Sequence, residues 1–156
     1  MKIRLRPGTP EDVEACWQLD QICFPPDIAF SRETMAELFE KAAVKLIAAG
    51  ADGMAGFVVA DHEAGDSEGL IVTLDIEPQR RRQGIGTALL EAAQEKLLAH
   101  GAELVFLHVA VNNREAGALY KKLGYIMIQR LRGYYGPRND ALLMARFLGD
   151  NGAATE

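Results

Sequence analysis

Apolar and polar positions alternate in short, separable rhythms along the 156-residue chain. Ile3 and Leu5 alternate with Lys2, Arg4 and Arg6, a period of two that predicts a short strand with one buried face. Thr9-Pro10-Glu11-Asp12 carries a capping threonine, a proline at the first helical position and acids in the first turn, predicting a helix to about Ile22. Phe24-Pro25-Pro26-Asp27 ends it, because neither proline continues the hydrogen-bonded ladder. Ser31 predicts the cap of a second helix through about Lys41, with Thr34 where a capping box prefers Glu or Gln. Ala43 to Ala49 and Met54 to Ala60 are apolar runs joined by the hairpin signal Gly50-Ala51-Asp52-Gly53.

His62 to Gly69 is polar and reads as a loop, and Leu70 to Glu77 as a strand stopped by Pro78. From Gly84 to His100, apolar Ile85, Ala88, Leu89, Ala92, Ala93 and Leu97 form a helical stripe that Gly101 ends. Leu104 to Val111 is apolar on both faces except for His108, the pattern of a central strand. Asn113 caps a helix to Leu123, Gly124 ends it, and closing strands follow near Tyr125 to Leu131 and Ala141 to Leu148. The order β-α-α-β-β-β-α-β-α-β-β predicts one α/β (α+β) domain over residues 1–149, with a mixed, mostly antiparallel sheet, helices flanking it and one β-α-β crossover. Residues 150–156 are expected to form a flexible tail.

Composition narrows the function classes. A net charge of −5 offers no broad basic face for nucleic acid, although Arg80-Arg81-Arg82 is a local basic cluster. The first residues, Met1-Lys2-Ile3-Arg4-Leu5-Arg6, do not lead into the apolar stretch of a secretory signal, and no run approaches the roughly 18 apolar residues of a membrane span. A cytoplasmic location is therefore expected. Cys16 and Cys23, if on one helix, stand about 10 Å apart along its axis, too far for a disulfide, and are read as small hydrophobes. The histidines and cysteines have no metal-ligand spacing, so no metal is expected. His62, in a polar loop, and His100, at a helix end, are read as structural.

The most informative stretch runs from Leu74 to Leu90. A strand feeds a basic, glycine-containing turn that opens a helix, where free N–H groups and the positive end of the helix dipole suit a phosphate. A P-loop needs Gly-Lys-Ser/Thr, which is absent, and a Rossmann fingerprint needs a small residue where Leu89 stands. Arg81-Arg82-Gln83-Gly84-Ile85-Gly86 resembles the Arg/Gln-x-x-Gly-x-Gly/Ala loop of the GNAT acyltransferases, as do Pro78, Ala88-Leu89-Leu90 and the later Asn113, Leu119-Tyr120 and Leu123-Gly124-Tyr125. The resemblance implies that backbone amides across Arg81, Arg82, Gln83, Gly84, Ile85, Gly86 and Thr87 hold the pyrophosphate of acetyl-CoA. It implies that Leu74, Asp75 and Ile76 pair with the pantetheine arm through their backbone, and that Asn113 touches that arm. The strands at Leu70–Glu77 and Leu104–Val111 would splay to admit the thioester.

Three further features resemble protein N-terminal acetyltransferases of the ribosomal-protein-alanine type and their methionine-end relatives. They are Phe24-Pro25 after the first helix, His108 followed by Asn112-Asn113 and Tyr120, and Tyr134-Tyr135 before the last strand. Phe24, Pro25, Tyr134 and Tyr135 would then line the acceptor site. His108 departs from the glutamate of the first type, and Arg80 stands where a tyrosine occurs in the second. Pro26-Asp27-Ile28-Ala29-Phe30 reads as an insertion beside the first-residue pocket.

The chemistry favours an α-amine over lysine. Presenting a neutral amine at pH 7 costs about 1–1.5 kcal/mol for an α-amine and about 4–5 kcal/mol for lysine. A histidine is base enough for the first, so His108 is the expected base, acting directly or through water; Tyr120 by itself reads as a core tyrosine, and the resemblance implies that it is the acid. The expected acceptor is a protein or peptide N-terminus. The alternatives are a small amine, for which Asp27, Asp61, Glu63, Asp66 and Glu68 supply negative charge, and a non-catalytic acetyl-CoA-binding module. Monomer and homodimer both remain open, with neither nucleic acid nor membrane expected as a partner.

Overall fold

The computed structural model describes residues 2–148, so the predicted tail, and with it the domain boundary at 149, lies outside the described residues. Among these residues the elements are β1 (Arg4–Pro7), α1 (Val13–Cys23), α2 (Arg32–Lys41), β2 (Val44–Gly50), β3 (Gly53–His62), β4 (Glu68–Ile76), α3 (Ile85–Ala99), β5 (Leu104–Ala110), α4 (Arg114–Lys122), β6 (Ile126–Gly136) and β7 (Asn139–Phe147). Single 3₁₀ turns at Pro10–Asp12 and Pro78–Arg80 lead towards α1 and α3. The strands form one seven-stranded sheet in the order β1-β2-β3-β4-β5-β7-β6, antiparallel except for the β4–β5 pair.

Local chemistry accounts for the element ends. Ser31 Oγ accepts the Thr34 N–H at 3.1 Å and opens α2, and Asn113 Oδ1 accepts the Ala116 N–H at 3.2 Å and opens α4. Asp12 fastens the start of α1, accepting the Thr9 N–H at 2.8 Å and both guanidinium nitrogens of Arg6. The sheet separates two apolar layers. Ile85, Leu89, Leu90, Ala93 and Leu97 of α3 pack with Tyr120 of α4 on one face. Cys16 and Leu19 of α1, with Met35 and Phe39 of α2, pack on Phe57 and Val59 on the other.

The parallel β4–β5 ladder is short. It runs from Glu68↔Leu104 to Ile71↔Leu107 and stops, although both strands continue. The break coincides with a bulge: opposite Val59 and Ala60 of β3, β4 pairs Thr73 and then Ile71, leaving Val72 as an extra residue. Beyond it β5 stays with β7 through Ala110↔Ala141 while β4 stays with β3 through Ile76↔Gly56. The expected parting of these two strands is therefore present.

Three expectations are corrected in detail. β1 has no buried face: all four residues are exposed on the sheet edge, Leu5 at 37%. The loop after β3 is shorter than His62–Gly69, because pairing carries β3 to His62 and restarts at Glu68. β6 runs on to Gly136, past Leu131, because Gly133 (φ +63°) and Gly136 (φ +135°) absorb an irregularity within the hairpin rather than ending it. Tyr134 and Tyr135 thus lie inside β6.

Tyr125 follows the left-handed Gly124 that ends α4, and its hydroxyl donates to Gln94 Oε1 at 2.5 Å, both groups buried. Tyr125→Phe strands the Gln94 acceptor in the core. It should lower unfolding stability by about 1–3 kcal/mol, measured by urea denaturation.

Candidate active site

Where β4 ends, the chain turns into α3 with its amides facing outward. Arg82 (φ +65°) and Gly84 (φ +84°) both take the left-handed conformation, which curls the backbone into a nest. No side chain caps α3, and the first carbonyl bond of this stretch is Ala88 N–H to the Gly84 carbonyl. The N–H groups from Arg82 to Thr87 are thereby left to an outside acceptor, at the positive end of a 15-residue helix. Gly86 serves differently: a Cβ there would meet Leu119 Cδ2 at 3.3 Å, so its small size lets α3 close on α4. Arg81 does not aim at this nest. Its Nε donates to the Ile76 carbonyl at 3.1 Å, and it faces Glu115 at 3.8 Å. Gln83 is exposed. This geometry suits a diphosphate.

The gap between β4 and β5 opens beside the nest. Glu77 N–H bonds the Ala55 carbonyl of β3, so by alternation the backbones of Asp75 and Thr73 also face β3, and those of Ile76 and Leu74 face the gap. Of the three positions expected to contact a pantetheine arm, Leu74 and Ile76 thus turn their backbone to the gap and Asp75 turns its backbone to β3. The Ile76 carbonyl is already bonded by Arg81 and by Cys23 Sγ at 3.4 Å, which singles out Leu74. Asn113 lends its oxygen to α4, leaving its amide nitrogen available.

On β5, Val105, Leu107 and Val109 join the α3 layer, so His108 projects from the opposite face. Its ring stacks on Tyr134, centroids 4.6 Å apart and 11° from parallel, and Tyr134 meets Tyr135 edge-on at 4.9 Å. Burial holds the His108 pKa below its ordinary value, so the imidazole is neutral at pH 7. Burial, followed by the charge of nearby Asp75, raises Tyr120, and Tyr135 lies close enough to add to the effect. Tyr135 itself is pushed up to about 12 by burial and by Tyr134. Two buried tyrosines therefore contrast: Tyr125 is committed to Gln94, whereas Tyr120 has no hydrogen-bond partner among the described residues.

Phe24 is half-buried and Pro25 exposed at the start of the α1–α2 loop, where Ile28 and Ala29 N–H groups turn back onto the Pro25 carbonyl at 2.9 Å. The loop meets the β6–β7 hairpin directly: Asn139 Nδ2 donates to Asp27 Oδ2 at 2.6 Å. Arg80, by contrast, turns away to Asp52 at 2.8 Å and Glu77 at 3.6 Å, so it does not take the place of a site tyrosine. Asp61, Glu63, Asp66 and Glu68 line a recess with Leu70 and Phe106 at the paired end of β4 and β5, remote from the gap. Apart from Asp27, the acids considered for a cationic substrate lie away from the gap.

Two side-chain contacts at the site escaped the sequence reading. Asp20 and Asp75 meet in the buried layer beneath the α1–α2 loop. Cys23, its thiol pushed up to about 11 by burial and by Asp75, packs on the strand end. The gap, the amide nest beside it and the unpaired tyrosine define an acyl-transfer fold. The chain belongs to the acetyltransferase (GNAT) family, whose profile matches residues 13–125.

Among its relatives is an N-alpha-acetyltransferase of Sulfurisphaera tokodaii, 46% identical over 79 residues, which cover 50% of this chain and 47% of that protein. The ribosomal-protein-S18-alanine N-acetyltransferase of Escherichia coli has a similar structure (TM-score 0.85, 25% identity, 95% of each chain covered). So does Arabidopsis thaliana NAA60 in complex with acetyl-CoA (TM-score 0.81, 24% identity, 94% of this chain and 100% of that one). The chain spans about half the length of the curated N-alpha-acetyltransferases that it matches. Among the described residues no helix is long and apolar enough to cross a membrane.

The nest yields a direct expectation. Gly84→Val forces a β-branched residue into a left-handed conformation and disturbs the amides on either side. CoA affinity measured by calorimetry should fall by about tenfold or more, since each lost charge-assisted hydrogen bond costs about 1.5–3 kcal/mol.

Proposed function

We propose that this protein is an acetyl-CoA-dependent N-acetyltransferase whose acceptor is the α-amine of a protein or peptide N-terminus. The observation that carries the reading is the open β4–β5 gap, flanked by the amide nest at its α3 end and by His108 and the Tyr134-Tyr135 pair on its other face. The N-terminal acetyltransferase activities for which the Sulfurisphaera tokodaii and Escherichia coli relatives are named support the acceptor class. The two thiols, Cys16 and Cys23, are free, which agrees with a reducing cytoplasm as the working compartment.

Acetyl-CoA supplies the acetyl group as a thioester. The amides of Arg82 to Thr87 hold its diphosphate, with Gly84 setting the curl, and Leu74 offers unpaired backbone to the pantetheine and thioester. Asn113 presents its amide nitrogen to the same arm. Phe24, Pro25, Tyr134 and Tyr135 frame the amine. His108, neutral because it is half-buried, takes the amine proton directly or through one water. Tyr120 keeps its proton across the physiological range and gives it to the departing thiolate. The new bond joins nitrogen to the acetyl carbon, the carbon–sulfur bond breaks, and the two proton transfers leave both products neutral at the reacting atoms.

Turnover with peptides differing only in their first two residues tests the acceptor class. Discrimination among them supports it, and a free small amine turned over faster than every peptide overturns it. Tyr120→Phe should lower kcat by about tenfold or more with little change in acceptor KM, which steady-state kinetics will show.

His108 makes a separate claim on pH. Its depressed pKa places the acidic limb of kcat/KM below the ordinary histidine value of about 6.5, activity falling as pH drops through it. His108→Ala should lower kcat and remove that limb. A peptide acceptor of lowered amine pKa separates this limb from titration of the substrate.

A further inference from the structure

Asp20 of α1 and Asp75 of β4 are sealed inside the α1/α2 layer, at 0% and 1% exposure. Each commits one oxygen to a donor. Asp20 Oδ2 accepts the Phe30 N–H at 2.7 Å, and Asp75 Oδ1 accepts Thr73 Oγ1 at 2.5 Å. The remaining oxygens, Asp20 Oδ1 and Asp75 Oδ2, find no donor among the described residues, yet the two carboxyls lie within hydrogen-bonding reach of each other. Two ionised carboxylates in that position would repel in a dry layer, each with an unsatisfied oxygen. One proton between them satisfies both.

The other groups around Asp75 do not supply that proton. The charge of Asp75 is felt by Cys16 and Cys23 of α1, by Arg81 of the turn before α3 and, across the sheet, by Tyr120 of α4. Arg81 is turned onto the Ile76 carbonyl and the Cys23 sulfur. Burial and Asp20 together raise Asp75 well above the usual carboxylate range, Thr73 and Arg81 opposing them.

We propose that Asp20 and Asp75 share one proton and act as a positioning pair, fastening the acceptor loop between α1 and α2 to the strand that holds the thioester. The loop is gripped from α1 at both backbone atoms of Phe30: Asp20 takes its N–H, and Gln21 Nε2 donates to its carbonyl at 2.8 Å. Its other end is held where Cys23 meets the Ile76 carbonyl. Asp75 stands between Leu74 and Ile76, so the shared proton links the surface that seats the amine to the backbone that seats the thioester. The link holds while the proton is retained and fails when rising pH removes it.

Only the kinetic arm of the test rests on the acetyl-transfer reading. Asp20→Asn keeps both contacts, its oxygen accepting the Phe30 N–H and its nitrogen donating to Asp75, with no proton to lose. Asp20→Ala removes both. Infrared spectra without any acceptor should show a protonated carboxyl in the wild-type protein at neutral pH that Asp20→Asn lacks. Wild-type stability should fall as pH rises above about 4, because the unfolded Asp75 ionises there while the folded one keeps its proton, and Asp20→Asn should flatten that slope.

In kinetics, Asp20→Ala should raise the acceptor KM by about tenfold or more and leave the acetyl-CoA KM within about twofold, as expected for a lost buried hydrogen bond on the acceptor side. Asp20→Asn should stay near wild type at neutral pH, and the ratio of wild-type to Asp20→Asn acceptor kcat/KM should decline as pH rises. Absence of the protonated carboxyl overturns the proposal, and so does an Asp20→Asn defect as large as that of Asp20→Ala. If Asp20→Ala does not fold, the wild-type and Asp20→Asn comparison decides alone. A protein showing the band without turning over peptides would overturn the peptide reading and leave the shared proton standing.

Discussion

Backbone amides and carbonyls inside a sheet must be paired, and the β4–β5 ladder stops pairing after Ile71 and Leu107. The Val72 bulge bends β4 towards β3 at that point, while β5 follows β7. The consequence is a wedge of unpaired backbone in the middle of an otherwise closed sheet, which only a ligand or water can satisfy. The rest of the site is arranged around that wedge. α3 begins at its rim because β4 ends there, and His108 reaches the opposite face because β5 keeps its alternation through the break.

Hydrogen-bond satisfaction separates scaffold from machinery. Tyr125, Ser31 and Asn113 each spend a side-chain atom on a defined partner close to an element end, and each explains a piece of the fold. Tyr120, the amides before α3 and the backbone of Leu74 are left without such partners among the described residues, where a bound ligand would find them ready to pair. The paired arginines make the complementary point: Arg80 and Arg81 look like phosphate ligands in a basic run, yet both guanidiniums are engaged by the protein itself.

The glycine loop was legible in the sequence because its requirement is local: a left-handed residue at 84 and a small one at 86 are demanded by conformation and close packing. The helices and central strands were legible for the same reason, through capping residues and apolar period. The acid pair was not. Asp20 falls on a helix and Asp75 on a strand 55 positions later, where the resemblance gives a role to its backbone alone. Only the packing of α1 across β4 brings them together. The length of β6 was also hidden: its apolar pattern fades near Leu131, and the hairpin continues through Gly133 to Gly136. Arg80 could not be placed from sequence because its partner, Asp52, sits on a distant hairpin.

The bridge between Asp27 and Asn139 spans 112 positions of sequence and closes a ring of protein from the α1–α2 loop to the β6–β7 turn. The contact cross-links two segments that the sheet would otherwise leave to move separately. As one exposed hydrogen bond, worth about 1 kcal/mol, it restrains them without locking them together.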